Sequence, residues 1–228
     1  MDKIKNFVKT QKIGQRLFYL LLAIVSFGVY VLVQLNYTMP KTQKLAPERL
    51  FLTIVVGVAG IALIAMGYYF QLSKQNDWKF ETVYQTDLKS LGIAVLGVVT
   101  IVVSQMLLIA VAHPTQTSSN QAILNAFLGK TNPLFYVMLG IIAPICEELI
   151  FRGMFFEIFF ITPSKKNIIV GAIANGLLFA LIHDQQIDIF FLAYFIAGFI
   201  LALQYLLTKN ISTSIITHMA NNLITLIV

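Results

Sequence analysis

Three charged side chains stand where an apolar helix should carry none. Glu147, Glu148 and Arg152 lie inside the run from Leu134 to Ile161, whose other residues are mostly Leu, Ile, Phe, Met and Gly. Near the centre of a membrane helix each opposes insertion by about 2.5–3.5 kcal/mol, and a Leu, Ile or Phe returns only about 0.3–0.6. Residues four apart lie about 40° apart around a helix, so Glu148 and Arg152 share a face and can pair as carboxylate and guanidinium. Glu147 is turned about 100° away with no local counter-charge, which makes it the chemically available carboxylate. Two other apolar runs carry histidines: Phe179 and His183 are one turn apart in the first, His218 and Asn222 in the second.

A carboxylate, two imidazoles and a carboxamide suffice to polarise a water and stabilise an oxyanion. Glu147 would act as general base, His183 would hold the same water or share its proton, and His218 and Asn222 would donate to developing negative charge. That is the hydrolysis of an amide. Glu147, His183 and His218 are also the ligand types of a catalytic zinc site with a position open to water, so the cofactor is either none or a divalent metal such as zinc. The residues leave both open. Other proteolytic chemistries are excluded by absence: there is no His-Glu-x-x-His helix, no Gly-x-Ser-x-Gly elbow, and no Asp inside an apolar run. Cys146 adjoins Glu147, but one step along a helix turns its sulfur about 100° away.

The elements that must hold these groups follow from composition. Of 228 residues, 58% are hydrophobic and 11% charged, against about 25% charged in a soluble domain. The apolar residues recur in runs of about 20, the length that crosses a ~30 Å hydrocarbon core as helix, and none alternates as a barrel strand would. The fold expected is all-α: a polytopic helical membrane protein of about seven transmembrane helices around an intramembrane polar cavity. The spans read as Leu17–Tyr37, Leu50–Leu72, Leu91–Ala112, Leu134–Ile161, Ile168–His183, Ile189–Leu207 and Ile211–Val228, in one integral membrane domain over 1–228 with the motif-bearing core at 134–228. Ser73 to Ser90 and His113 to Pro133 read as the longest polar connections. The first run is longer than a signal core and lacks a small-x-small cleavage site, so it is expected to be a retained helix.

One cysteine excludes an internal disulfide framework. The net charge of +6 comes from Lys and Arg scattered between apolar runs, with no aromatic-interleaved basic face for nucleic acid. Their distribution serves topology instead. With Lys3, Lys5, Lys9, Lys12 and Arg16 inside, Lys74, Lys79, Lys89, Lys165, Lys166 and Lys209 fall on the same side, and only Lys41, Lys44, Arg49 and Lys130 fall outside. The expected location is a cell membrane, multi-pass, with a cytoplasmic N-terminus, and 13 Lys against 3 Arg suggest an AT-rich bacterial gene.

The ordered set Glu147-Glu148-x-x-x-Arg152, Phe179-x-x-x-His183 and His218-x-x-x-Asn222, with Gly153 after the arginine, resembles the three-motif signature of the CAAX protease and bacteriocin-processing (CPBP or Abi) family of intramembrane endopeptidases, related to type II CAAX prenyl proteases. The resemblance covers about the C-terminal 95 residues; the first three runs add only generic hydrophobicity. It implies Glu147 as water-activating base, His183 as its partner, His218 and Asn222 as oxyanion donors, and Glu148, Arg152 and Phe179 as support. The family has been described both as metalloproteases and as glutamate proteases. Its implied substrates are prenylated or precursor peptides or membrane-associated proteins met in the bilayer. Members described as bacteriocin immunity proteins supply the alternative, a non-catalytic immunity or scaffold protein. A proton-relaying transporter is a third reading, disfavoured because no inverted repeat is visible.

Depth tests the assembly. At about 1.5 Å per residue Glu147 and His218 both fall near 10 Å from the inner face of a ~30 Å core, whereas His183 falls about 12 Å from them. Pro144 and Gly140 are placed to open the helix beside the cavity. Asp184 and Asp188 are expected as helix caps, with Asp184 a candidate helper of His183, Glu157 as an interfacial residue, His113 as a solvated loop histidine, and Thr131-Asn-Pro as the turn that starts the fourth span.

Overall fold

The computed structural model describes the chain apart from residues 1, 41, 43–45, 83–87, 129 and 228, and apart from the side chains of 2–12, 119 and 128. Lys3, Lys5, Lys9, Lys12, Lys41 and Lys44 of the charge pattern lie among the residues or side chains not described. The elements are α1 (Asp2–Tyr37), α2 (Pro47–Lys74), α3 (Leu88–Ala112), α4 (Ser119–Leu128), α5 (Leu134–Phe159), α6 (Lys165–His183), α7 (Ile189–Thr208) and α8 (Ile211–Ile227). Apart from an isolated bridge between Pro40 and Thr131, the described residues hold no β structure. The protein is an all-α, multi-pass membrane protein.

Six helices are long and apolar enough to cross a bilayer: α1 from Ile13, α2, α3, α5, α6 and α7. The seventh expected span, α8, is a 17-residue helix. Most spans are apolar on their outer faces too, as a lipid-facing helix must be. α5 differs, with 72% of its most apolar window buried against 17–39% in the other five. It is the central helix, and it carries the three charges.

Local signals set the ends. Pro47 stands in the first turn of α2, Ser164 accepts from Asn167 N–H at the start of α6, and Asp188 accepts from Phe190 and Phe191 N–H at the start of α7. Asn132 starts α5 by accepting from Leu134 N–H, as the Thr-Asn-Pro turn predicts. Lys209 ends α7 in the left-handed region at φ 58°. α6 and α7 meet where Gly176 and Gly198 bring the backbones together; a Cβ on Gly198 would lie 2.8 Å from Phe179 Cβ.

Two connections read as polar contain structure. Residues 119–128 form α4, opened by Ser118 Oγ accepting from Gln121 N–H. Residues 75–82 fold into a plug against the end of the bundle, with Trp78 and Phe80 buried. Trp78 Nε1 donates to Phe160 O at 2.6 Å, Phe80 stacks on Tyr205 with centroids 4.2 Å apart, and Lys209 Nζ lies 4.4 Å from the Trp78 ring centroid. Glu81 accepts from Ile211 N–H at 2.7 Å and from the Tyr68 hydroxyl at 3.2 Å, satisfying the start of α8. Burial raises the Glu81 carboxyl above its ordinary value, and those two hydrogen bonds pull it part of the way back. Glu157, expected at the interface, is fully buried at this end of α5.

Candidate active site

The pairing expected from helical angles is present. Arg152 Nη1 lies 2.9 Å from Glu148 Oε1, both side chains fully buried. Arg152 also sets its guanidinium 4.4 Å from the Phe179 ring centroid, where a desolvated cation–π contact adds to the pair. Glu148 Oε1 in turn receives His218 Nδ1 at 2.8 Å.

α5 is not a uniform α-helix here. Met138–Ile142 and Leu149–Met154 are π-helical, one stretch on each side of Glu147 and Glu148. Ala143 N–H donates to Met138 O, five residues back, and Pro144 has no N–H to give. Leu139 O is thereby left without its usual helical donor. Asn222 Nδ2 supplies one at 3.0 Å. The Pro144 signal in the sequence thus tells on α8, which it ties to α5 beside the site.

The histidines converge on Glu147. His183 Nε2 lies 3.7 Å and His218 Nε2 3.8 Å from Glu147 Oε2. Each gap exceeds a direct hydrogen bond and suits a shared small group such as water. The far ring nitrogens fix the tautomers. His183 Nδ1 is 2.8 Å from Phe179 O, a carbonyl that only accepts, so Nδ1 carries the hydrogen. His218 Nδ1 faces the Glu148 carboxylate and likewise donates. His183 is held between the faces of Phe179, 4.1 Å away by centroids, and Tyr194, 5.0 Å away.

The expected depth mismatch for His183 is therefore absent, for two reasons. Cβ bonds tilt toward a helix N-terminus, and α5 and α6 are successive helices running in opposite directions, so the Glu147 and His183 side chains lean toward each other. The helices also cross: Asn175 Nδ2 donates to Phe151 O while His183 faces Glu147, so eight residues of α6 match four of α5. Counting rise along upright helices misses both effects.

Tyr30 is the residue that sequence reasoning missed. Its hydroxyl donates to Glu147 Oε1 at 2.6 Å, the length of a charge-assisted bond. α1 is brought within reach by close packing on α2: a Cβ at Gly60 would collide with Val33 and one at Gly57 with the Tyr37 hydroxyl. The available signal was position, since a tyrosine in mid-span needs a partner for its hydroxyl. Tyr194 was missed likewise. Cys146 is buried in the core and Asp184 is buried behind the end of α6, where it accepts from Gln186 N–H. His113 is exposed, as expected.

Glu147, His183, His218 and Asn222 all line a cavity of about 700 Å³ bounded by α1, α3, α4, α5, α6, α7 and α8. As a metal centre the donor chemistry suits zinc, since both imidazoles present Nε2 and have committed Nδ1–H elsewhere. The spacing does not: among the described residues no group of three or more His, Cys, Asp or Glu side chains is gathered to hold an ion.

Residues 129–224 match the family described as type II CAAX prenyl endopeptidase, Rce1-like. That match falls on the motif-bearing part of the chain. The chain is 33% identical over 136 residues, 58% of its length, to "Membrane-embedded CAAX protease MroQ" of Staphylococcus aureus (strain USA300), covering 53% of that protein. It is 29% identical over 107 residues, 47% of its length, to "Putative membrane peptidase YdiL" of Bacillus subtilis (strain 168), covering 41% of it. The chain thus aligns with about half the length of these curated relatives. No solved structure matches it. The matched family segment includes Glu147, His183, His218 and Asn222 but leaves out α1, and with it Tyr30.

Proposed function

We propose that this protein is an intramembrane endopeptidase that hydrolyses a peptide bond with water activated by Glu147. The observation that carries the reading is the convergence of Glu147 Oε2 with the Nε2 atoms of His183 and His218 in one cavity. Charge balance assigns the protons. Glu147, Glu148 and Arg152 sum to one negative charge, which a low-dielectric interior tolerates poorly, and one proton on an imidazole cancels it. We assign it to His218, whose Nδ1 faces a full carboxylate charge, whereas His183 Nδ1 faces only a neutral carbonyl.

In the reaction the water donates to Glu147 Oε2 and to His183 Nε2, leaving a lone pair for the scissile carbon. As the C–O bond forms, Glu147 takes the water proton. His218 Nε2–H and the second amide hydrogen of Asn222 donate to the oxyanion. The C–N bond then breaks, Glu147 returns its proton to the departing nitrogen, and the products are a carboxylic acid and an amine. Tyr30 holds Oε1, so that Oε2 is the proton acceptor. No step passes through a metal.

Peptides or membrane-associated proteins are the substrates proposed, prenylated and precursor peptides among them. The basic residues Lys74, Lys79, Lys165, Lys166 and Lys209 border the plug end of the bundle, which supports a cytoplasmic plug end and N-terminus. The test is purified protein in lipid vesicles, given farnesylated and unmodified peptides, with products read by mass spectrometry. Wild type should cleave, and Glu147→Ala should not while remaining folded. Activity lost to a chelator and restored by zinc would recast Glu147, His183 and His218 as ligands.

A further inference from the structure

Four intramembrane carboxamides in this protein share one habit that Gln34 and Gln105 do not. Gln71 Nε2 donates to Met154 O at 3.1 Å, Gln204 Nε2 to Ile93 O at 2.7 Å, Asn222 Nδ2 to Leu139 O at 3.0 Å, and Asn175 Nδ2 to Phe151 O. Each binds the backbone carbonyl of a neighbouring helix. Gln34 on α1 and Gln105 on α3 have no hydrogen-bond partner among the described residues, although both lie within membrane-spanning helices. Both are half-buried and both line the cavity that holds Glu147. A carboxamide in a hydrocarbon setting without a partner is costly.

We infer that Gln34 and Gln105 are a clamp for the backbone of an extended, uncharged substrate peptide, a reading that rests on the endopeptidase proposal and names its substrate class. A carboxamide offers one donor group and one acceptor, the complement of a peptide unit, and an extended chain exposes its own peptide groups because no helix uses them. Gln34 lies one turn beyond Tyr30, about 6 Å along α1, and an extended peptide advances about 3.3 Å per residue. Gln34 therefore meets the backbone about two residues from the scissile bond. Among the described cavity-lining residues, Glu147 and the two histidines are the only ionisable groups apart from tyrosines, so a Lys, Arg, Asp or Glu side chain in the substrate finds no free counter-charge among them.

The first measurement needs no substrate. Gln71→Leu and Gln204→Leu remove an interhelical hydrogen bond and should lower the thermal midpoint in detergent by about 2–8 °C, whereas Gln34→Leu and Gln105→Leu should leave it unchanged or higher; equal losses in all four would overturn the clamp. The second uses a quenched-fluorescence library of decapeptides uncharged at every position. On the best-cleaved member, Gln34→Leu and Gln105→Leu should each raise KM about 3- to 10-fold with kcat within about 2-fold. N-methylation of the backbone nitrogen two residues from the cut should weaken wild type similarly and Gln34→Leu no further. Unchanged KM in both variants would overturn the clamp and leave the endopeptidase standing. If wild type cleaves nothing, the endopeptidase reading fails alone; fluorescence anisotropy of the labelled library on Glu147→Gln then judges the clamp, supported by weaker binding on adding Gln34→Leu and overturned by its absence.

Discussion

Polar groups interrupt this apolar interior in two places, and the two are built oppositely. At the plug end, Tyr68 and Tyr205 share a hydrogen bond at 2.8 Å, Tyr68 and Ile211 N–H converge on Glu81, and Trp78 is matched to Phe160 O. Most donors meet acceptors there; the buried oxygens without a partner are those of Glu157, Gln71 Oε1 and Thr213 Oγ1. At the site end, Glu147 Oε2 and two imidazole nitrogens face one another with nothing close enough to bond, and Gln34, Gln105 and Asn221 Oδ1 line the same cavity unpaired. Saturation holds helices together; open valence at fixed positions is what a reacting group or a substrate can use.

The comparison breaks most visibly at Glu147. Glu147→Gln keeps shape and the Tyr30 contact but removes the base, so peptide cleavage should fall by about 10²–10⁴-fold or more with the thermal midpoint held. Arg152→Met should do the reverse: it strands the buried Glu148 and removes the cation from Phe179, costing about 3–5 kcal/mol of stability, seen as loss of folded protein on size exclusion before any kinetic defect is measured. Retained folding in that variant would mean that Glu148 and Arg152 belong to the reacting set and not to the frame. Tyr30→Phe lies between. It removes one charge-assisted hydrogen bond while the ring stays, and kcat should fall about 10- to 100-fold with KM little changed; an unaffected kcat would show that the Glu147 carboxylate is aligned by the histidines alone.

Much of the site could be read from spacing, because the relations that define it are local. Glu148 with Arg152, Phe179 with His183 and His218 with Asn222 are each one helical turn apart, and a turn is fixed whatever surrounds it. What spacing does not contain is how one helix meets another. The 12 Å misfit of His183 came from treating helices as upright rods at about 1.5 Å per residue, and it vanishes with the crossing of α6 over α5 and the lean of two side chains. Tyr30 belongs to a helix without a motif; its role depends on Gly57 and Gly60, on a third element, letting α1 approach. Trp78 and Phe80 sit in a short aperiodic segment, where no hydrophobic repeat announces burial. Six spans and a short α8 stand where seven spans of unequal length were expected, because the edges of apolar runs do not fix where a helix begins and ends.

The smallest effect expected is at the saturated end, and it has a definite sign. The Glu81 carboxyl is raised above its ordinary 4.5, chiefly by burial, so in the folded protein it holds a proton at pH values where the unfolded chain has released it. Below pH 4.5 both states are protonated and the group contributes no pH dependence; as pH rises from there through the folded value, the folded state binds more protons and stability falls, levelling off above it. Glu81→Gln keeps an oxygen for Ile211 N–H and removes the titration. The difference in thermal midpoint between wild type and Glu81→Gln, measured in detergent from pH 4 to 7, should therefore move by about 2 °C or less against wild type as pH rises. A shift of opposite sign would mean that the hydrogen bonds from Ile211 and Tyr68 outweigh burial, and that even at the plug the charged carboxylate is the form for which the structure is built.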